Sequence, residues 1–401
     1  MSTTTTSFFS VGTNFDPDLL PQLNNFNVYE VYGKLPKDII GGGRSAFHIS
    51  NKINHQVLCQ EIKKGHRFGI EFNYLLNAPC LGNIEYTKSG NRKIRKFLDF
   101  LSEQDVDTVT VTIPYLAVLI KKNYSNLKVD VSTIARVRNV DTFNSWLDLG
   151  VNSITLDDSC ANRDWRFLQY VANKQITCKV KLLVNQACTP NCIHRDYHYN
   201  VNGHNSQANH ISSFPLSFCD IACKSERLNN LHGIIRGQWI RPNDLNIYKR
   251  LGINHFKIIQ RHDPSSLIME TLKAYYYEQY DGNLLNIVKF HFTEPSKTKK
   301  ITLAHLLKYL CRPFKFNMLN VYKLSKYRGD NFDLYIDNKK LDGFIEEMIR
   351  RDCSNLCRKC GLCQNYFELA CSYDGEKRDQ LMNKYEKILD LYLNNSNSLF
   401  H

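Results

Sequence analysis

Short runs of β-branched and aromatic residues recur along the first 260 residues, separated by longer stretches whose apolar positions follow the helical period. The runs predict strands at Phe8–Val11, Val28–Tyr32, Phe68–Phe72, Thr108–Ile113, Val129–Ile134, Ser153–Leu156, Lys179–Val184 and His255–Ile259. Between them, amphipathic stretches such as Asn91–Gln104 and Asp141–Leu149 predict helices. Eight strands alternating with helices over roughly 250 residues is the scale of an α/β chain folded as a (β/α)8 TIM-like barrel. An open doubly wound sheet is the structural alternative. Gly41-Gly42-Gly43 runs into Arg44 with no strand directly before it, so it reads as a loop rather than a dinucleotide fingerprint. No repeat of 20 to 50 residues is visible, which argues against a solenoid.

The connection before the last strand, Asn185 to Asn254, is unusually long. It holds four cysteines and His194, His198, His204 and His210, and within it Gly233–Ile240 suggests an extra hairpin. Beyond Phe292 the pattern changes. Leu341–Arg351 reads as a helix, a cysteine-rich segment follows, and Glu376–Leu393 reads as a terminal helix. These shifts suggest a barrel over 1–292, with its cysteine loop at 185–254. A basic, aromatic-rich connection over 293–350 and a cysteine-rich segment with its helix over 351–401 complete the division.

Composition narrows the class. The 401 residues are 43% hydrophobic and 23% charged, enough to build a core, so global disorder is excluded. No apolar run reaches the length of a transmembrane helix, so no membrane partner is expected. Met1 to Ser7 lacks the basic and apolar regions of a secretory signal, and a cytoplasmic location is expected. Fourteen cysteines in a reducing compartment point to metal or catalysis rather than disulfides. The scattered Cys59, Cys80, Cys160, Cys178 and Cys311 read mostly as small core residues. A net charge of +13 favours an anionic partner. Lys297 to Arg328 concentrates nine Lys/Arg with no acid, interleaved with Tyr309, Phe314, Phe316, Tyr322 and Tyr327. That pattern suits RNA, through phosphate contacts and base stacking, or an acidic peptide. A merely solvated basic face is the bland reading.

Two cysteine groups carry candidate chemistry. Cys188-x3-Cys192 and Cys219-x3-Cys223 are separated by 26 residues. Four thiolates form a soft tetrahedral donor set for zinc or an iron–sulfur cluster. The x3 spacing and the position after a strand favour iron–sulfur over zinc, with unrelated thiols as the third reading. His194 and His198, spaced i, i+4, suit acid–base groups or donors beside the ligands. Cys353, Cys357, Cys360 and Cys363, with Cys371 beyond, suit a second metal centre, zinc or a second 4Fe–4S cluster. A radical-SAM triplet is rejected there, because the group follows a C-terminal helix rather than a first barrel strand.

The run LVNQACTPNCIHRDYH (183–198) and the downstream IRPNDLNIYKRLGINHFKIIQR (240–261) resemble peptidase family U32, the collagenase-like family. VYEVYGKLP, GIEFNYLLNAPCLGN and LKVDVSTIARV resemble a compact bacterial branch of it. The resemblance covers about residues 8 to 292. It implies a (β/α)8 barrel carrying a 4Fe–4S cluster on four cysteines. It also implies oxygen-independent hydroxylation of RNA or a quinone ring, with prephenate as oxygen donor, in several members that are not peptidases. The commonest family signature places a Gly-rich segment before a C-x6-C pair, whereas here C-x3-C follows Asn185-Gln186-Ala187.

Strand ends supply the remaining candidates. Glu71 and Asp158 suit acid–base carboxylates. Asn73, Arg136, Arg241, Lys257 and Arg261 suit substrate binding, and the cationic Arg241, Lys257 and Arg261 suit a dicarboxylate such as prephenate. Pairing with Asp244 or Asp263 is the bland alternative for that set. The chain therefore reads as an iron–sulfur barrel enzyme of the hydroxylation type acting on RNA, a peptide or an aromatic compound. A peptidase or peptide-tailoring protein, and a non-catalytic partner that meets a redox protein, are the rival readings.

Overall fold

Eight parallel strands close into a barrel in chain order, β8 pairing back onto β1. The strands are β1 (Phe8–Gly12), β2 (Val28–Gly33), β3 (Glu71–Leu76), β4 (Thr108–Val111), β5 (Lys128–Val131), β6 (Ser153–Thr155), β7 (Lys179–Leu183) and β8 (His255–Ile258). The computed structural model describes residues 5–42, 53–208, 217–261, 263–290, 317, 319–320, 332–353 and 360–395. The helices that return the chain are α1 (Leu19–Leu23), α2 (His55–Arg67), α3 (Lys88–Glu103), α4 (Pro114–Asn123), α5 (Val140–Asp148) and α6 (Trp165–Asn173). The long connection before β8 carries α7 (Arg195–Asn205), α8 (Phe218–Asn229), α9 (Gly233–Arg236) and α10 (Leu245–Arg250), and α11 (Ser265–Tyr276) follows β8.

Local sequence sets the helix ends. Asn54, Thr87, Asn139 and Asp164 each accept a backbone N–H from the first turn of the helix that follows. Strand alternation then sorts the faces. Phe9, Val11, Val129, Val131, Ile154, Leu182, Phe256 and Ile258 are fully buried. Each such Val, Leu, Ile or Phe contributes about 1.5–3 kcal/mol when removed from water.

The intervening residues form a polar ring inside the barrel, one from each strand: Ser10, Glu30, Asn73, Thr110, Asp130, Ser153, Lys181 and Lys257. Lys181 Nζ bridges Glu30 Oε1 at 2.7 Å and Asp130 Oδ2 at 3.1 Å. Ser10 donates to Glu30 at 2.5 Å and Ser153 to Asp130 at 2.9 Å. Asn73 donates to both carboxylates at 3.3 Å and accepts from Thr110 at 2.7 Å. Two acids and two lysines balance the formal charge. This matters because an uncompensated charge at such depth costs several kcal/mol.

The structure departs from the sequence expectation in three places. Phe68–Phe72 is not the third strand. Phe68, Gly69 and Ile70 return N–H groups to the carbonyls of Gly65 and His66, and Gly69 adopts φ +69, so these residues cap α2 and the strand starts at Glu71. Gly233–Ile240 is no hairpin: Gly233–Arg236 is a helical turn, and Ile240 N–H bonds to the Val184 carbonyl beyond β7. The domain division also differs. One unit comprises residues 1–215, 237–280 and 345–354, and the other 216–236, 281–344 and 355–401.

The second unit includes α8, which buries Cys219, Ile221, Cys223 and Leu228. Within the unit, α8 packs on the terminal helix Gly375–Leu393, with Phe218 edge-on to Tyr392 at 6.1 Å and Lys224 over the Tyr385 ring. A two-stranded antiparallel sheet, β9 (Leu334–Ile336) with β10 (Cys371–Tyr373), completes it. The expected helix at Leu341–Arg351 is found as Phe344–Arg350. His210, Cys311, Cys357 and nearly all of the basic run at 297–328 lie outside the described residues. Among the described residues no helix is long and apolar enough to cross a membrane.

Candidate functional site

The C-terminal ends of β5, β6 and β7 bring charged groups together. Beyond β5, Ser132 and the short turn Thr133–Ala135 lead to Arg136, held at φ 56. Beyond β6, Leu156 leads to Asp157 and Asp158, both fully buried. Beyond β7 the chain reaches Cys188 and Cys192 and then α7, with His194 at its N-cap and Arg195 as its first residue.

Arg195 joins these segments. One guanidinium nitrogen, Nη1, lies 3.2 Å from Cys188 Sγ. The other, Nη2, bonds to Asp158 Oδ1 and lies 3.3 Å from Asp157 Oδ1. Thr133 Oγ1 also donates to Asp158, at 2.6 Å. Arg136 bonds to Asp196 at 2.7 Å and lies 3.5 Å from Asp157. Burial raises the Asp157 carboxyl, but Arg195 and the N–H and O–H of Ser159 outweigh it and hold the group below its usual range. Arg195 sits over the Tyr199 ring at 5.1 Å. Asp157 Oδ2 and Asp158 Oδ2 are buried and take no hydrogen bond. A buried acceptor without a hydrogen bond is costly, and at Asp157 Oδ2 the Arg136 guanidinium 3.5 Å away offsets part of that cost by charge alone.

A second charged pair stands at the end of β2. Lys34 Nζ contacts Asp38 Oδ2 at 2.8 Å, and Tyr74 donates to the same carboxylate at 2.9 Å. Arg261, three residues beyond β8, is buried and its charge reaches both Lys34 and Lys257.

The cysteines divide by environment. Cys219 and Cys223 lie four residues apart on α8, both buried, and Arg227 Nε contacts Cys223 Sγ at 3.2 Å. Each pair therefore includes a sulfur facing an arginine N–H, an environment that favours the anionic, metal-binding form of a thiol. By contrast, burial pushes the half-buried Cys160 and Cys178 thiols up to about 12. Burial does the same to Cys371. Among the described residues no cysteine forms a disulfide. Cys188 and Cys192 belong to the barrel unit, and Cys219 and Cys223 to the second. Of the tail group, Cys353 belongs to the first unit and Cys360 and Cys363 to the second, with Cys360 exposed. Among the described residues no three His, Cys, Asp or Glu side chains are grouped to hold a metal ion. The donor chemistry of each thiol pair fits a soft metal or cluster.

Several sequence candidates need correction. Glu71 opens β3 rather than closing a strand, so it sits at the opposite end of the barrel and pairs with Lys128 at 2.6 Å. Asn73 and Lys257 face the barrel interior within the polar ring rather than standing at strand ends. Arg241 is spent on Asp244, with contacts of 2.8 and 2.6 Å, the bland alternative foreseen for it. His194 and His198 are half-buried along α7, and His198 stacks on Tyr199. The residues the sequence reading missed are Arg195, Asp130, Lys181 and Lys34. Their signal was available: a polar residue recurs at an inward position in every strand, and Arg195 stands three residues after Cys192.

A closed parallel barrel with buried carboxylates, a guanidinium and a thiol at its C-terminal end defines a (β/α)8-barrel protein. The model of peptidase family U32 matches residues 51–161. An uncharacterized protease of Methanocaldococcus jannaschii is 31% identical over 342 residues, covering 85% of this chain and 88% of that protein. The chain belongs to peptidase family U32. Among solved structures it is similar to the U32 peptidase Mk0906, at 17% identity and a TM-score of 0.47, over 66% of this chain and 96% of that one.

Proposed function

We propose that this U32 protein is a cytoplasmic iron–sulfur barrel enzyme of the oxygen-independent hydroxylation type, acting on an anionic substrate. Cys188, Cys192, Cys219 and Cys223 would hold a 4Fe–4S cluster. The observation that carries the reading is the contact of Arg195 with Cys188 at the end of β7, matched by Arg227 on Cys223. Charged N–H donors of this kind stabilise ligand thiolates and tune a cluster's potential. When bound, the cluster supplies Lewis-acid or electron-transfer chemistry. The chain's own groups do the rest. Arg195 ties Cys188 to Asp158, so the thiol and the carboxylate keep one geometry. The Oδ2 atoms of Asp157 and Asp158, buried and without a hydrogen bond, would accept from a substrate hydroxyl. Arg136 and Arg261 offer positive charge to a carboxylate donor such as prephenate. RNA or an acidic peptide is the anionic partner in view, through the basic run, and electrons would come from a redox partner. Cys353, Cys357, Cys360 and Cys363 would hold a second metal centre that steadies the tail.

Anaerobic purification with iron and sulfide analysis tests this. About four irons and four sulfides per chain are expected at the first site. Cys192→Ala and Cys223→Ala should each remove them, while Cys360→Ala should leave them in place. Zinc as the sole metal, or iron unchanged in Cys192→Ala, overturns the reading. The family description and the relative named a protease favour peptide hydrolysis as the second reading. Peptide cleavage by purified protein that persists in Cys192→Ala would establish it.

A further inference from the structure

The polar ring inside the barrel treats its two lysines differently. Lys181 is bonded to both carboxylates, and its side chain is 1% exposed. Lys257, the third residue of β8, is left with the long contact: its Nζ stands 3.7 Å from Asp130 Oδ2, beyond hydrogen-bond reach, and its side chain keeps 8% exposure. The amine lies over the Tyr32 ring, 4.4 Å from the centroid, and the Tyr32 hydroxyl is fixed on the Ile258 carbonyl at 2.6 Å. Asp130 is already engaged by Lys181, Ser153 and Asn73. The structure thus holds a lysine nitrogen in a closed barrel with an aromatic wall, a carboxylate nearby and no hydrogen-bonded counter-ion.

We propose that Lys257 is a nucleophilic amine that forms an imine with a carbonyl substrate, a small 2-oxo acid. The proposal is independent of the cysteines and of any cluster. Burial drives the Lys257 amine below its ordinary pKa; Asp130 opposes the shift, and Lys181 adds to it. A lysine desolvated beside another cation is the recognised route to an amine that is nucleophilic near neutral pH. Its lone pair adds to the carbonyl carbon, forming a C–N bond while the C=O π pair becomes a hydroxyl by taking up a proton. Loss of that hydroxyl with a second proton, as water, leaves a protonated imine. Asp130, the nearest carboxylate at 3.7 Å, stabilises the positive charge of the protonated imine. The protonated imine withdraws electrons from the adjacent carbon, so the chemistry it opens is proton removal or bond cleavage next to the former carbonyl. The acid function of the substrate follows from Arg261, whose positive charge acts on Lys257. Arg261 is pressed against the end of β1: a Cβ added at Gly12 would stand 2.6 Å from Arg261 Cβ.

The test uses the full-length protein with pyruvate and sodium cyanoborohydride at neutral pH, and peptide mass spectrometry to locate the reduced adduct. Lys257 should carry it several-fold faster than surface lysines, since a lowered pKa leaves more free amine at neutral pH. Lys257→Arg should keep the charge and the thermal midpoint but lose the adduct. Formaldehyde with the same reductant serves as the smaller probe. Labelling by formaldehyde but not pyruvate would overturn the 2-oxo acid assignment. Labelling by neither, or pyruvate spread evenly over surface lysines, would overturn the amine itself. Both results stand whatever the iron analysis finds, so this proposal and the cluster reading fail separately.

Discussion

At the scale of single residues, the barrel depends on charges that neutralise one another out of water. Lys181 is the centre of that balance, since Glu30 and Asp130 both lean on it. Replacing it with Met keeps the length of the side chain and removes the charge, leaving two buried carboxylates with Lys257 as the ring's remaining lysine. Breaking such a buried set by deleting one partner costs about 3–5 kcal/mol. Lys181→Met should therefore lower the midpoint of chemical denaturation steeply, or prevent recovery of folded protein. A change under about 1 kcal/mol would show that the ring is hydrated and not a dry ion cluster. The same balance separates the two lysines. The one that closes the ion pairs is structural, and the one left over is the candidate for chemistry.

At the scale of elements, the position of a strand start decided what one carboxylate can do. Reading β3 as Phe68–Phe72 places Glu71 near a C-terminal strand end and makes it a candidate acid. The cap formed by Phe68, Gly69 and Ile70 moves the strand onset to Glu71 and sends that side chain to the opposite face, onto Lys128. Gly69 makes the cap possible because its φ of +69 lies in the left-handed region. There is open space around it, so Gly69→Ala introduces backbone strain without a clash. A cost of about 1–2 kcal/mol is expected from that conformation, visible as a lower thermal midpoint with unchanged metal content. Equal stability would mean that α2 can end in another way. The period-2 pattern identified the strand but could not show where the preceding helix let go, because apolar Phe68, Ile70 and Phe72 fit either element.

At the scale of the whole molecule, the excess positive charge is concentrated outside the described residues, between Lys297 and Arg328. If this run meets RNA, affinity should fall steeply with salt, since each neutralised phosphate releases roughly one counterion. Lys299→Ala, Lys300→Ala and Lys308→Ala together should weaken binding and flatten the slope of log affinity against log salt by up to about three. Filter binding or fluorescence anisotropy at several salt concentrations reads both effects. Absence of RNA affinity at low salt would restrict the partner to peptides or small acids.

Much of this protein is determined by local pattern. Strand count, barrel class and strand order follow from alternation and from the apolar faces of the helices, which any chain of this sequence must bury. Cys188, Cys192, Cys219 and Cys223 stand out because thiols are scarce and their spacing is regular. Tertiary structure alone decided which charges are available. Arg241 and Arg136 look equally cationic in sequence. In space one is closed on Asp244, while the other spans Asp157 beyond β6 and Asp196 on α7. Arg195 gained its place between Cys188 and Asp158 only when β6 and α7 were brought side by side. The division of the four cysteines between two units likewise depends on which apolar face α8 buries. Pairing of charges is a long-range event, set by which strands become neighbours, and one-dimensional spacing does not encode it.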